Sequence, residues 1–343
     1  MIRQITRRRL ITAGAGAAAL GALPQFAWSQ TAASASGDKV RMVTGLRAAS
    51  QCITWIGTEA GVFRKHGLEV SFPKLEVGGP ESAAGLMRGD WDFAQTGTVP
   101  IAEEVLKGGD VVILLRNTAP HVGIVIMTRR ELTSLDQLAG KRVGVLTDAY
   151  SGQSGVVTRL AVEKAGVTAN YVGLGTYQNI YAVLGAGEID AGALPIDFRF
   201  LGQRQYGWNT FDTAAFGVPS IFSTTRRMIA SNRDRVVRAV RGFVETIHLF
   251  KTQPDVVVPL LQRFLNFSDR KAVEDLRGFY APLFPAVPRP SLSGGMQEIR
   301  DLFLKRYPAV QRLQESDIAD SSIIDEVERS GFIERLYAGA KKS

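Results

Sequence analysis

The residues of this chain best suited to hold a small molecule fall in short segments of small and polar side chains, each following an apolar run. The first is Leu46-Arg47-Ala48-Ala49-Ser50-Gln51. Arg47 brings a fixed positive charge that either pairs with a carboxylate or sulfonate or lies solvated on a rim. Ser50 and Gln51 open a helix, where Ser50 serves as a cap or as a contact. Val77-Gly78-Gly79-Pro80 and Gln95-Thr96-Gly97-Thr98 let backbone approach a guest closely through Gly78, Gly79 and Gly97, and Thr96 and Thr98 add hydroxyls. In Thr147-Asp148-Ala149-Tyr150-Ser151-Gly152, Tyr150 is placed to cover an organic ligand, Ser151 to bind its polar atoms, and Asp148 to cap. Leu194-Pro195-Ile196-Asp197 offers Pro195 and Asp197. Helix starts carry free amides and a partial positive charge, so the chemistry of these segments is recognition of polar or anionic groups.

Groups that would carry a reaction are sparse. His66, His121 and His248 share no metal-ligand spacing with one another or with other ligand types. The single cysteine, Cys52, forms no internal disulfide and reads as a buried thiol. Gly173-Leu174-Gly175 lacks the third glycine of a dinucleotide fingerprint. No nucleophile, base and orienting group stand out together. No catalytic residue, metal or cofactor is therefore expected. Trp55 reads as core rather than a stacking platform. Lys and Arg outnumber Asp and Glu by 41 to 33, but no basic block interleaves with aromatics, so nucleic acid is not an expected partner.

The elements that must position these segments are marked by an internal echo. Leu86-Met87-Arg88-Gly89-Asp90-Trp91-Asp92-Phe93-Ala94 matches Leu184-Gly185-Ala186-Gly187-Glu188-Ile189-Asp190-Ala191-Gly192, and Lys65-His66-Gly67 matches Lys164-Ala165-Gly166 at nearly the same offset. Each long copy reads as a helix ended by a left-handed glycine, a turn held by an acid, and entry into a buried strand. Asp92 and Asp190 thus begin strands at the end away from the ligand loops, which makes them structural. Around each copy a short strand (Val40 to Thr44; Arg142 to Leu146), a polar loop and a helix precede a second strand, a second helix and the Asp-led strand. This alternation predicts two α/β lobes, each with a mostly parallel sheet flanked by helices. Residues 120–127 and 215–223 are expected to cross between lobes. From Arg233 onward Val236, Val237, Val240, Phe243, Val244, Ile247 and Phe250 recur at helical spacing, predicting a tail that packs back on the first lobe.

The leading residues read as an export address. Arg3, Arg7, Arg8 and Arg9 precede a small, mildly apolar run from Leu10 to Leu20, too short to span a bilayer. Thr6-Arg7-Arg8-Arg9-Leu10-Ile11 resembles a twin-arginine motif with Leu10 in place of the usual Phe, and Ala27 and Ser29 flank Trp28 like a cleavage site. Removal of residues 1–29 takes away four arginines and leaves a formal charge of +4 in place of +8.

With these motifs in order, the chain resembles the periplasmic solute-binding proteins of ABC importers of the nitrate/taurine/sulfonate type. The resemblance rests on Gly61-Val62-Phe63, Gly67-Leu68, the doubled Leu-x-x-Gly-x-x-Asp, Ser134-Leu135-Asp136-Gln137-Leu138-Ala139-Gly140-Lys141 and Thr224-Thr225-Arg226. It implies a two-lobed type II periplasmic-binding-protein clamshell with two hinge crossings, divided into lobe 1 (30–122), lobe 2 (123–218) and a return to lobe 1 with C-terminal helices (219–343). It also implies a periplasmic monomer that closes on a small anion or small organic molecule and docks on an inner-membrane permease. Relatives on the same fold include thiamine-pyrimidine and menaquinone-pathway enzymes, and a ligand-presenting sensor subunit would use the same closure.

Overall fold

The computed structural model describes residues 37–118, 123–150, 152–213, 219–292 and 294–338. The export signal, Ser151 and His121 lie outside the described residues. The strands are β1 (Asp38–Thr44), β2 (Leu68–Ser71), β3 (Phe93–Gly97), β4 (Val111–Arg116), β5 (Ile124–Thr128), β6 (Arg142–Val145), β7 (Asn170–Gly173), β8 (Ala191–Pro195), β9 (Asn209–Asp212) and β10 (Ser220–Thr225). They form two five-stranded sheets with orders β2-β1-β3-β10-β4 and β7-β6-β8-β5-β9. The two orders correspond strand for strand. In each sheet the fourth strand runs antiparallel to both neighbours while the other four share one direction. That reversed strand is the one the chain lays down on crossing: β5 follows β4 into the second sheet, and β10 follows β9 back into the first.

The echo in the sequence has the same structural meaning twice. Gly89 and Gly187 end their helices at φ 79° and 76°, a left-handed conformation that costs a residue with a Cβ about 1 kcal/mol or more. Three residues on, each aspartate clamps the neighbouring parallel strand, β1 at Arg41 and β6 at Arg142. The Asp92 carboxylate accepts from the Arg41 amide at 2.8 Å and its own amide donates to the Arg41 carbonyl at 2.8 Å. Asp190 makes the same pair with Arg142 at 3.0 and 2.9 Å.

Helices cover the sheets: α1 (Ile53–Glu59), α2 (Val62–Lys65), α3 (Gly79–Arg88), α4 (Thr98–Leu106), α5 (Gly152–Lys164), α6 (Tyr177–Gly185), α7 (Asp197–Tyr206), α8 (Arg226–Ser231), α9 (Arg233–Thr252), α10 (Pro254–Leu265), α11 (Arg270–Tyr280), α12 (Gly295–Phe303), α13 (Glu315–Ile318), α14 (Ser322–Arg329) and α15 (Phe332–Ala338). The apolar stripe of α9 is buried along its length, and α9 packs on α1, α2 and β2. Phe222 of β10 stacks between Phe93 of β3 and Phe243 of α9, with centroids 5.2 and 5.0 Å away. The approach of α9 to α1 and α2 is set by glycines. A Cβ on Gly242 would stand 2.5 Å from the Phe63 ring, and one on Gly57 2.2 Å from Thr246 Oγ1.

The tail does more than the sequence pattern foretold. It braces the first sheet, and α11 also packs on α7 of the second sheet and on the turn at 49–51 of the first. Phe198 meets Phe267 at 5.1 Å, Phe200 meets Phe279 at 6.1 Å, and Arg204 pairs with Asp269 at 3.4 Å. None of the described helices is long and apolar enough to cross a membrane.

Candidate functional site

Loops at the carboxyl ends of parallel strands from both sheets converge on one cavity of about 320 Å³, near the lower limit of roughly 300 Å³ for small-molecule sites. From the first sheet come the β1 loop with Leu46, Ala48, Ser50 and Gln51, the β2–α3 loop with Val77, Gly78, Gly79, Pro80 and Glu81, and the β3–α4 junction with Thr96, Gly97 and Pro100. The second sheet contributes Gly123 and Ile124 at the start of β5, Leu146 and Thr147 after β6, Ser154 and Gly155 of α5, and Pro195 at the end of β8; Ser220 of β10 closes the ring.

Local hydrogen bonds explain why these loops hold still. Gly45 donates to Gln95 O at 2.8 Å and Gly78 donates to Gly45 O at 2.9 Å, so the three loops of the first sheet are stitched through backbone. Leu46 N donates to Gln51 Oε1 at 2.9 Å. That bond fixes the Gln51 amide with its Nε2 buried, unpartnered and at the cavity wall; Thr96 Oγ1 is in the same condition. Both side chains have no solvent exposure. An unsatisfied buried polar group costs about 1–3 kcal/mol, so a guest offering hydrogen-bond partners there recovers that penalty.

Of the twelve residues the sequence singled out, Ser50, Gln51, Gly78, Gly79, Thr96, Gly97 and Pro195 line this cavity, while Arg47, Thr98, Tyr150 and Asp197 do not. Arg47 turns to Glu76, with Nε 4.0 Å from the carboxylate. Burial raises the Glu76 carboxyl above its ordinary value, a shift that Arg47 opposes, and Glu76 holds a left-handed backbone at φ 62°. The cation expected either to pair with an anion or to lie solvated on a rim is thus beside an internal carboxylate. Thr98 Oγ1 donates to Pro219 O at 2.7 Å, tying α4 to the entry of β10. Tyr150 is 74% exposed under the Arg159 guanidinium, which lies 5.1 Å from its ring.

Asp197 departs most from expectation. It begins α7 in the second sheet's half yet accepts from Ala49 N, in the first sheet's cavity loop, at 2.5 Å, and from the Tyr280 hydroxyl of α11 at 2.9 Å. It is a tie between halves, with its carboxyl pushed up to about 6 by burial, an effect the Ala49 amide and Tyr280 hydroxyl oppose. Buried Cys52 lies close enough for the Asp197 charge to add to the rise that burial already imposes on its thiol.

Sequence reasoning missed the apolar wall: Leu46, Val77, Pro100, Ile124 and Leu146. Its signal was present as apolar residues at the strand ends just before or inside the polar loops. Among the described lining residues the one ionisable group is Glu81, paired at 2.5 Å with Arg88, and none is aromatic. Helices α3, α4 and α5 begin at the cavity. Each such end stabilises an anion by about 0.3–1 kcal/mol, whereas removing an ion from water costs several kcal/mol.

The family described as NMT1/THI5 like matches residues 52–256. No match was found among curated proteins. Solved structures share the fold. A protein of Bordetella bronchiseptica RB50 aligns with a TM-score of 0.73 at 13% identity, over 86% of this chain and 98% of its own. The alkanesulfonate-binding protein SsuA of Xanthomonas axonopodis pv. citri, bound to MOPS, aligns at 0.66 and 15%, over 84% and 100%. The periplasmic nitrate-binding protein NrtA of Synechocystis PCC 6803 aligns at 0.65 and 12%, over 86% and 89%. The two corresponding sheets and the cavity between them are therefore those of the periplasmic-binding-protein architecture, and by its family match the chain belongs to the NMT1/THI5-like family.

Proposed function

We propose that the protein is an exported receptor that captures a small solute between its two lobes and delivers it to an ABC permease in the inner membrane. The observation that carries this reading is the cavity walled by strand-end loops of both sheets. A guest there touches both halves when they are closed and one when they are open, which is the differential affinity that drives closure. Micromolar affinity, about −8 kcal/mol, needs only a few good hydrogen bonds and exclusion of water. Binding without reaction fits the wall, whose described ionisable group is already paired. His66 faces Glu245 and His248 faces Tyr337, both away from it. The proposed organisation is an export signal at 1–29 taking the twin-arginine route to the periplasm, lobe 1 at 30–122, lobe 2 at 123–218 and a return at 219–343, working as a monomer hinged near the two crossings.

The test is native mass spectrometry of the mature protein as purified, together with small-angle scattering before and after addition of whatever molecule it retains. Retention of a small molecule and contraction on its return are expected. A molecule converted to product on incubation would replace the receptor reading with an enzymatic one.

A further inference from the structure

Resting on the receptor reading, we infer that the guest is an uncharged organic molecule with an apolar body and a carbonyl-type edge, such as a primary amide, and not an anion.

Three independent features of the cavity point this way. Charge is the first. Arg47, on the β1 loop, lies 4.0 Å from the carboxylate of partly buried Glu76, and the pair is neutral. Glu81 is likewise matched by Arg88. Among the described lining residues no net positive charge is left to compensate an anion stripped of water.

Second, the unsatisfied polar atoms of the described lining residues, Gln51 Nε2, Thr96 Oγ1 and Ser154 Oγ, are neutral. Gln51 Nε2 is a donor whose companion oxygen is already committed to Leu46 N, so it demands an acceptor. Thr96 Oγ1, contributed by the next strand end, donates or accepts. A carbonyl oxygen meets the first, and an adjacent N–H meets the second. Neither atom has another partner, and both are fully buried at the wall. They discriminate by hydrogen bonding, which rejects a mismatched group more strongly than an apolar wall does.

The third feature is the remaining wall. Leu46, Val77 and Pro100 from one half face Ile124, Leu146 and Pro195 from the other. A bare inorganic anion leaves this surface with nothing to cover, whereas an aliphatic or small aryl body buries it.

The experiment is calorimetric titration of the mature wild-type protein with matched sets: butanamide, butanoate and butanesulfonate; benzamide, benzoate and benzenesulfonate; and potassium nitrate. The amide of a set is expected to bind about tenfold or more tighter than its charged partners, with an affinity that does not fall as salt is raised. Gln51→Leu and Thr96→Val each remove a hydrogen-bonding atom at similar volume. Both are expected to cut amide affinity about tenfold. Thr96→Val, whose hydroxyl has no partner, leaves the melting temperature of the unliganded protein at or above the wild-type value, whereas Gln51→Leu also frees Leu46 N and lowers it. Tightest binding by a carboxylate, a sulfonate or nitrate overturns the inference and leaves the receptor reading standing, as does a charged molecule retained through purification. Absence of binding by every member of the panel also overturns it; combined with no retained molecule, it removes the receptor reading as well.

Discussion

Replacing Asp197 by asparagine isolates the tie that joins the two halves. In the folded protein this carboxyl sits at about 6 against an ordinary 3.8, because burial disfavours its charge more than the Ala49 amide and the Tyr280 hydroxyl favour it. At about 1.4 kcal/mol per pKa unit the difference amounts to about 3 kcal/mol. The folded state holds this proton more tightly than the unfolded chain does. Asp197 therefore stabilises the fold relatively at low pH, and that contribution is lost as pH rises from about 4 through about 6. In Asp197→Asn the amide oxygen still accepts from Ala49 N, and the Tyr280 hydroxyl changes from donor to acceptor. The titration is gone. Urea unfolding of both proteins at several pH values between about 4 and 7 measures the effect, and subtracting one series from the other cancels the remaining carboxylates. Relative to wild type, the variant is expected to gain about 2 kcal/mol across this window, the rest of the shift falling below pH 4. Parallel stability curves would show that the carboxyl is not perturbed by its burial, and the reasoning would fail.

Gly242→Ala forces a Cβ into the Phe63 ring and is expected to lower unfolding free energy by about 1–3 kcal/mol; an unchanged denaturation midpoint would refute the close helix contact. Asp92→Ala and Asp190→Ala each free a strand amide, that of Arg41 or Arg142, and are expected to cost about 1 kcal/mol apiece. The double variant should cost their sum, because the two clamps lie in different sheets; a shortfall on chemical denaturation would deny their independence. Arg7→Lys combined with Arg8→Lys is expected to leave precursor in the cytoplasm on cell fractionation, and normal periplasmic yield would assign export to the general secretory route.

What the sequence revealed and what it hid follow from the range of the interactions involved. Gly89 and Asp92, or Gly187 and Asp190, carry their instructions within one turn, so the echo disclosed two matching sheets and the position of each strand entry. The α9 stripe was legible for the same reason. The loops that line the cavity were legible through Gly78, Gly97 and their polar neighbours, since small residues leave backbone open at strand ends. The partners of Arg47 and Asp197, namely Glu76, Ala49 and Tyr280, are distant in the chain, so the directions of these two side chains were not legible. A strand-end position tells where a residue stands and leaves the direction of its side chain open. The same holds for Tyr150: its loop borders the cavity at Thr147, while its ring is exposed to solvent.

The exchange of fourth strands has a consequence for how the protein is made. β4 joins its sheet through β10, so the oily segment Val111-Val112-Ile113-Leu114-Leu115, which can already lie on α3 and α4, keeps its hydrogen-bonding edge open until residue 225 has been synthesised. At about 5–20 residues per second the ribosome takes roughly 5–20 s to cover that distance. During that interval a segment destined for full burial stays adhesive, and a holding chaperone has a defined time in which to act.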